Sequence, residues 1–317
     1  MSIMSSVIVC ILAGCLHFTE ANACEGTSVR DAAFNEMRDM HHLYVIGDSR
    51  EPETQAIFDR LENQLTYDPE TFNVLLRRID AENPDIQWDD YGMPGPPPSL
   101  PVVALIGTNY ARGGRFFIDY WNPELSADDL QIVMRSPLRD ALLDEIGNRV
   151  AILLYAPATE GDASRADEIV QNTIDRWADK NELGFSMLQL DRHDPRERLL
   201  HHFVGLPESG PAWVAVMFGR GKVMPSLEGA DITPENLDEC LGILLEDCTC
   251  ISSPKLLGVD MPLIWDAALD VLVKAAVLPD DAVAEVGADV VSGSMWMLGL
   301  LVSIVVVAAV VVVRRRS

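Results

Sequence analysis

The chain has 317 residues, of which 48% are hydrophobic and 23% are charged, a composition typical of globular proteins and not of disordered ones. Its 49 acidic residues outnumber 24 basic residues, and the net charge of −25 argues against nucleic acid as a partner, because phosphate binding needs a basic surface. This length accommodates two ordinary domains together with terminal segments.

Residues 1–23 have the pattern of a signal peptide. Ser2–Leu16 is mostly apolar, and Ala21–Ala23 precedes Cys24 in the form of an A-x-A cleavage site. An alternative is that Leu12–Cys15, which resembles a bacterial lipobox, leads to lipidation of Cys15. Cleavage after Ala23 is favoured because the apolar stretch before Cys15 is short. Either route predicts a body outside the cytoplasm.

The first repeat unit is predicted to span residues 24–147. A short apolar strand at Leu43–Gly47 is followed by an amphipathic helix and by a second strand that ends at Asp80. After a proline-rich loop, the stretches VVALIG and RFFIDYW indicate a hairpin joined by a glycine-containing turn. Ser126 is the expected N-cap of one closing helix, with Asp129 three residues later.

The second unit, residues 148–252, repeats these parts in the same order. Val150–Tyr155 is the predicted first strand, and an amphipathic helix follows it. The stretch FSMLQLDRHDP matches FNVLLRRIDAENP of the first unit, so that Asp191 corresponds to Asp80. Thr233 is the expected cap of the closing helix, because proline is favoured at the first helical position that follows it. The chain is therefore predicted to be an internal tandem repeat.

Strand, helix, strand, strand, strand and helix follow one another in each unit. A parallel β-α-β element followed by a hairpin and a closing helix resembles the thioredoxin-like fold, and two such units in tandem resemble the architecture of disulfide isomerases. The predicted fold class is α/β, with two tandem thioredoxin-like units, each a mixed central sheet flanked by helices. The resemblance implies a cis-proline at the start of the third core strand, which assigns that role to Pro101 and Pro211.

The chain as a whole also resembles a group of uncharacterised bacterial membrane-anchored envelope proteins. The resemblance lies in the acidic hairpin-helix ending and in the Cys-x-Cys pair of the stretch EDCTC. It implies a fold and a periplasmic or cell-surface location, and it implies no activity.

The redox centre of the thioredoxin-like fold is absent from both units. Such chemistry needs a thiolate of low pKa at a helix N-terminus and a second thiol one turn away. The corresponding loops read IGDSREPE and APATEGDAS, and neither contains cysteine. The first loop also resembles the Gly-Asp-Ser opening of a group of serine hydrolases, but no histidine follows His202, so Ser49 lacks the base that this group places near its end.

Four cysteines remain after cleavage of the signal peptide: Cys24, Cys240, Cys248 and Cys250. In an oxidising compartment an even number of cysteines favours two structural disulfides, whose pairing the sequence leaves open. The alternative is that Cys248 and Cys250 form an easily reduced disulfide or bind a soft metal ion. No cofactor and no resident metal site are expected on the favoured interpretation.

The carboxy-terminal region has the pattern of a membrane anchor. Residues 253–294 are predicted to form an acidic stalk, and 295–313 contain no charge and are long enough to cross a bilayer as a transmembrane helix. Residues 314–317 begin with three arginines, which places this tail in the cytoplasm. Whether the tail is removed by processing stays open.

The sequence therefore predicts a binding or scaffold protein that is built on redox-inactive thioredoxin-like domains and anchored in the membrane by a single span. A non-enzymatic role is the favoured interpretation. A polypeptide is the expected partner, because thioredoxin-like folds keep a peptide groove beside the cis-proline even without cysteines. The alternative is a thiol-disulfide or metal-handling protein that uses Cys248 and Cys250.

Overall fold

Two sheets are built from the apolar stretches that the sequence marks as strands. The computed structural model describes residues 28–65, 71–109, 113–122, 126–160, 164–178, 183–246, 257–266, 268–271 and 273. The chain divides into two compact units, Met1–Asp266 and Ala267–Ser317, and the first of these contains both predicted repeats.

The first repeat contains a four-stranded sheet with the strand order β2-β1-β3-β4. Strands β1 and β2 are parallel, β3 is antiparallel to β1, and β4 is antiparallel to β3. The elements of this repeat are β1 (His41–Gly47), α2 (Pro52–Gln64), β2 (Val74–Asp80), β3 (Val102–Asn109), β4 (Gly114–Trp121), α3 (Ala127–Met134) and α4 (Pro137–Ile146). The helix α1 (Val29–Asn35) precedes them in the chain, but it packs into the core of the second repeat.

The second repeat contains a sheet with the order β10-β8-β7-β5-β6, in which β9 also pairs with β7. Strands β5 and β6 are parallel, and β7 is antiparallel to β5. The elements are β5 (Ala151–Ala156), α5 (Ser164–Ala178), β6 (Phe185–Gln189), α6 (Arg198–Val204), β7 (Trp213–Phe218), β8 (Lys222–Val223), β9 (Leu227–Glu228), α7 (Pro234–Leu244) and β10 (Val259–Asp260).

The core strands of the two sheets have the same order and the same directions. Both β1 and β5 lie between a parallel neighbour and an antiparallel neighbour, so the two predicted first strands are equivalent central strands. A βαβ unit followed by an antiparallel hairpin is the arrangement predicted from the resemblance to the thioredoxin-like fold. Every residue of β5 and of β7 is buried, which agrees with their continuous apolar sequence.

The helix caps also follow from the sequence, with one correction. Ser126 and Asp129 form a reciprocal capping box, and the Thr233 side chain accepts a hydrogen bond from the Asn236 amide. The single closing helix predicted for the first repeat is instead two helices, because Ser136 caps a new helix that has Pro137 at its first position.

The segment 257–266, which was predicted to belong to the stalk, is part of the folded body. Strand β10 pairs with β8, and Ile264 forms an isolated bridge with Phe72 of the first repeat. Met261 and Leu263 are buried. The segment therefore contacts both sheets, and the stalk prediction was wrong for these residues because their apolar side chains complete the core.

A buried polar network joins this segment to both repeats. Asp39 and Asp260 accept each other's backbone amides at 3.0 and 2.8 Å. The Lys222 ammonium lies 3.3 Å from the Asp260 carboxylate, and both side chains are at most 4% exposed. A buried charge pair of this kind needs further hydrogen bonds to compensate for desolvation, and the Asp39 amide supplies one to the Asp260 carboxylate.

His41 extends the network into the first sheet. Its Nδ1 accepts the Thr108 amide at 3.1 Å, and its Nε2 lies 2.6 Å from the Asp260 carbonyl oxygen, which makes Nε2 the protonated nitrogen. Burial lowers the pKa of His41 to about 4 despite the favourable contact with Asp260. The imidazole is therefore neutral at neutral pH.

A second buried cluster joins the closing helices of the first repeat to the second repeat. Glu197 accepts hydrogen bonds from the Ser136 hydroxyl at 2.5 Å and from the Leu138 amide at 2.8 Å. Arg139 donates to the same hydroxyl at 3.1 Å and to the Pro262 carbonyl at 3.0 Å. The Glu197 carboxylate, which belongs to the second repeat, thus caps the N-terminus of α4 in the first repeat.

No helix among the described residues is long and apolar enough to cross a membrane. The predicted signal peptide, transmembrane helix and cytoplasmic tail lie outside the described residues, as do Cys24, Cys248 and Cys250.

Candidate functional site

The loop between β1 and α2 occupies the position where a thioredoxin-like fold carries its first reactive thiol. Its side chains are engaged with one another. The Ser49 hydroxyl donates to the Asp80 carboxylate at 2.9 Å, and Arg50 donates twice to the Asp48 carboxylate at 2.9 and 3.0 Å. These bonds lower the pKa of Asp80 and that of Asp48, so both groups are carboxylates at neutral pH.

Ser49 therefore has a carboxylate partner and not the histidine that a serine nucleophile requires. A hydroxyl that donates to an ionised carboxylate is oriented, but it is not activated as it would be by a general base of suitable pKa. The Asp80 side chain also accepts the Glu82 amide at 3.2 Å, which is typical of a turn. The arrangement supports a structural role for Ser49 and Asp80 in this loop.

Pro101 lies directly beside this loop, as the resemblance implied. The Leu100–Pro101 peptide bond is cis. A β-carbon added to Gly47 at the end of β1 would lie 3.1 Å from the Pro101 β-carbon and 2.6 Å from the Thr54 hydroxyl, so only glycine fits there. Leu100 is 50% exposed, and its backbone amide and carbonyl have no hydrogen-bond partner in the described part of the chain.

The corresponding place in the second repeat differs, and Pro211 is a correction to the prediction. The Gly210–Pro211 bond is not cis; Gly210 instead has φ of 152°, a conformation open to glycine that brings the chain into β7. Gly210 is also tied to the loop after β5. Its carbonyl accepts the Thr159 amide at 3.0 Å, and its own amide donates to the Thr159 hydroxyl at 2.8 Å.

Arg192 holds this second loop region together, and the sequence did not predict its role. It is buried, and its guanidinium donates to the carbonyls of Pro157, Pro207 and Pro211 at 3.1, 2.7 and 2.5 Å. Burial lowers its pKa, although Glu228 opposes this shift. Only the folded chain brings these three prolines together, so the stretch DRHDP gives no local signal for the contact.

An open cavity of about 320 Å³ lies beside Pro211. Its lining includes Glu160, Arg165 of α5, Gly229 and Ile232. Because the Gly210 backbone is already bonded to Thr159, this cavity offers side-chain contacts but no free main-chain edge at residue 210.

Neither loop supplies a thiol. Cys240, the cysteine that the structure describes, lies on α7, is half-buried and forms no disulfide within the described ranges. Burial raises its pKa, and Glu239 adds to the shift, so this thiol is less reactive than a free one. Within the described ranges no group of three or more His, Cys, Asp or Glu residues is placed to bind a metal ion.

Comparison of the chain with protein-family profiles and with curated proteins gives no match. Among solved structures, the NTD_N/C domain of alkylhydroperoxide reductase AhpF from Enterococcus faecalis is 12% identical, with a TM-score of 0.21; 67% of this chain and 95% of that chain are covered. The first two thioredoxin domains of Naumovozyma dairenensis Eps1p are 13% identical, with a TM-score of 0.20, and 58% and 82% are covered.

The zinc-bound form of human ERp44 is 11% identical, with a TM-score of 0.23, and 68% of this chain and 55% of that chain are covered. The strand order, the strand directions and the loop positions of this chain are those of a thioredoxin-like fold.

Proposed function

We propose that this chain is a membrane-anchored, extracytoplasmic polypeptide-binding or scaffold protein whose thioredoxin-like units carry out no thiol-disulfide exchange. The observation that carries the proposal is the chemistry of the two loops at the reactive-thiol positions. Ser49 is bonded to Asp80 in one loop, and Thr159 is bonded to Gly210 in the other. The sequence has no cysteine between Cys24 and Cys240, so neither helix start can form a mixed disulfide.

The peptide groove that the fold analogy predicts beside Leu100 and Pro101 is the favoured binding site. An extended polypeptide binds a protein edge through main-chain hydrogen bonds, and it needs an edge whose amide and carbonyl are unused. Among the described residues, Leu100 provides an unpaired backbone amide, an unpaired carbonyl and an exposed apolar side chain. In the second repeat the amide and the carbonyl of Gly210 are both hydrogen-bonded to Thr159. The two repeats therefore differ in function, with binding at the first and structural closure at the second.

The rigid junction between the repeats supports a scaffold role. The networks around Asp260 and Glu197 hold both sheets and the segment 257–266 in one arrangement. A preorganised groove loses less conformational entropy on binding than a mobile one. The predicted anchor at 295–313 would keep this body at the outer surface of the membrane.

The experiment compares two exposed apolar residues. Leu100→Glu places a charge in the groove, and Met37→Glu makes the same change at a position that is 72% exposed and distant in sequence. Binding of the full-length protein to an array of extended peptides rich in Lys and Leu is measured, because the chain is strongly acidic. We expect Leu100→Glu to remove most of the signal and Met37→Glu to retain it.

Equal binding by both variants would show that the groove is not the binding site. Turnover of a disulfide substrate that depends on Cys248 or Cys250 would replace this proposal with the thiol-disulfide alternative.

A further inference from the structure

One face of the first sheet carries a chain of aromatic rings at the end remote from Pro101. His42 and Tyr44 on β1 have ring centroids 5.6 Å apart, and Tyr44 meets Tyr91 edge to face at 5.4 Å. The Arg115 guanidinium lies 5.5 Å from the centre of the Tyr91 ring. On the other side, Arg77 of β2 is the direct register partner of Tyr44. These five residues are called the His42 surface below.

Arg77 and Arg115 lie on β2 and β4, the two edge strands of the sheet, on either side of the other three residues of the His42 surface. Arg77 and Arg115 are exposed, and neither forms an ion pair with a carboxylate in the part of the chain that the structure describes. Arg115 donates instead to the Asp90 carbonyl at 2.9 Å. In a chain of net charge −25, two unpaired guanidinium groups beside one surface give it a local positive potential.

Both arginines contribute to the electrostatic potential at His42. Burial lowers the pKa of His42 to about 4, with further contributions from Arg115 and then Arg77. The same two arginines oppose the rise that burial causes in the pKa of Tyr44. The buried Nδ1 of His42 has no hydrogen-bond partner, so the ring is held by packing and leaves a polar atom unsatisfied.

We propose that the His42 surface binds an anionic ligand that joins a carboxylate to an aromatic or apolar body. The carboxylate matches the planar fork of a guanidinium group, which binds it through two parallel hydrogen bonds. The partly exposed rings of His42 and Tyr91 supply a partner for the apolar part, whereas Tyr44 is buried behind them, because aromatic rings and arginine planes both stack on flat groups. Inorganic phosphate carries the charge without the body and is therefore expected to bind more weakly than such a carboxylate.

The test measures binding of benzoate, benzamide and inorganic phosphate to the full-length protein, with the imidazole signal of His42 followed by NMR. Benzoate should raise the pKa of His42, because a bound carboxylate offsets the two arginines. Benzamide has the same body without the charge, and we expect it to bind about tenfold more weakly, the effect of losing one charge-assisted hydrogen bond. N-acetylphenylalanine, which mimics a chain terminus, distinguishes a polypeptide carboxyl group from a small acid by its affinity relative to benzoate.

Arg77→Gln and Arg115→Gln should each weaken benzoate binding about tenfold. The matched control is Arg78→Gln. Arg78 follows Arg77 on β2 but points to the opposite face, where it lies 3.7 Å from the Phe58 ring centre and 3.7 Å from Asp59. This variant should leave benzoate binding unchanged. The proposal is overturned if benzoate leaves the His42 signal unaffected, or if all three variants bind it equally well.

Discussion

Acidification should weaken the folded state through His41, which joins β1 to the segment 257–266. The histidine is fully buried, and its folded pKa of about 4 lies below the ordinary value of 6.5. The unfolded chain therefore binds a proton that the folded chain excludes. This contribution to stability is fully present above pH 6.5 and is lost as the pH falls from 6.5 to about 4.

The magnitude follows from the size of the shift. Each pKa unit corresponds to about 1.4 kcal/mol, so the difference between 6.5 and about 4 is worth about 3 kcal/mol of unfolding free energy. The structural reason is direct. A charged imidazole would carry a proton on Nδ1, where the Thr108 amide already donates, and two donors would face each other in a buried site.

The assay is urea unfolding of the purified full-length chain at several pH values between 7 and 4. The wild type is compared with His41→Gln, which cannot titrate, and with His193→Gln, a change in an exposed loop that serves as the control. We expect the unfolding free energies of the wild type and the control to fall in parallel between pH 7 and pH 4. His41→Gln should be less stable at pH 7, but over this range it should lose about 3 kcal/mol less unfolding free energy than the wild type. An identical dependence of stability on pH in all three proteins would show that His41 is not the titrating group.

Three further predictions concern the second cluster, the cysteines and the membrane. Glu197→Gln removes the carboxylate beside buried Arg139 and should cost about 3 kcal/mol of unfolding free energy, whereas Glu208→Gln on an exposed loop should cost almost nothing in the same urea titration. Replacing Cys248 and Cys250 by Ser should lower the melting temperature through the loss of about 2–4 kcal/mol, with no change in disulfide reductase activity; a thiol that is alkylated rapidly at mildly acid pH and supports turnover would contradict this. Protease added to intact spheroplasts should digest the body and spare a fragment containing 295–313, and a fully protected body would disprove the proposed topology.

The repeat, the order of the strands and the absence of cysteine from the two helix-start loops could be predicted from the sequence. Apolar runs produce β1 and β5, and the caps at Ser126 and Thr233 begin their helices as predicted. These features depend on neighbouring residues, through strand periodicity, side-chain capping and the absence of cysteine. They can be predicted because the interactions that cause them lie within a few positions along the chain.

Two features depend on the three-dimensional fold: which of the two corresponding loops leaves its backbone without hydrogen bonds to other described residues, and how the repeats are joined. Leu100 and Gly210 occupy corresponding places, but Thr159 satisfies only the second backbone. Asp260 reaches Asp39 across most of the chain, which turned a predicted stalk segment into part of the body. Such contacts depend on the path of the backbone in three dimensions. The composition of a short stretch such as VDMPLIW does not predict them, because its apolar residues suit a core strand as well as a stalk helix.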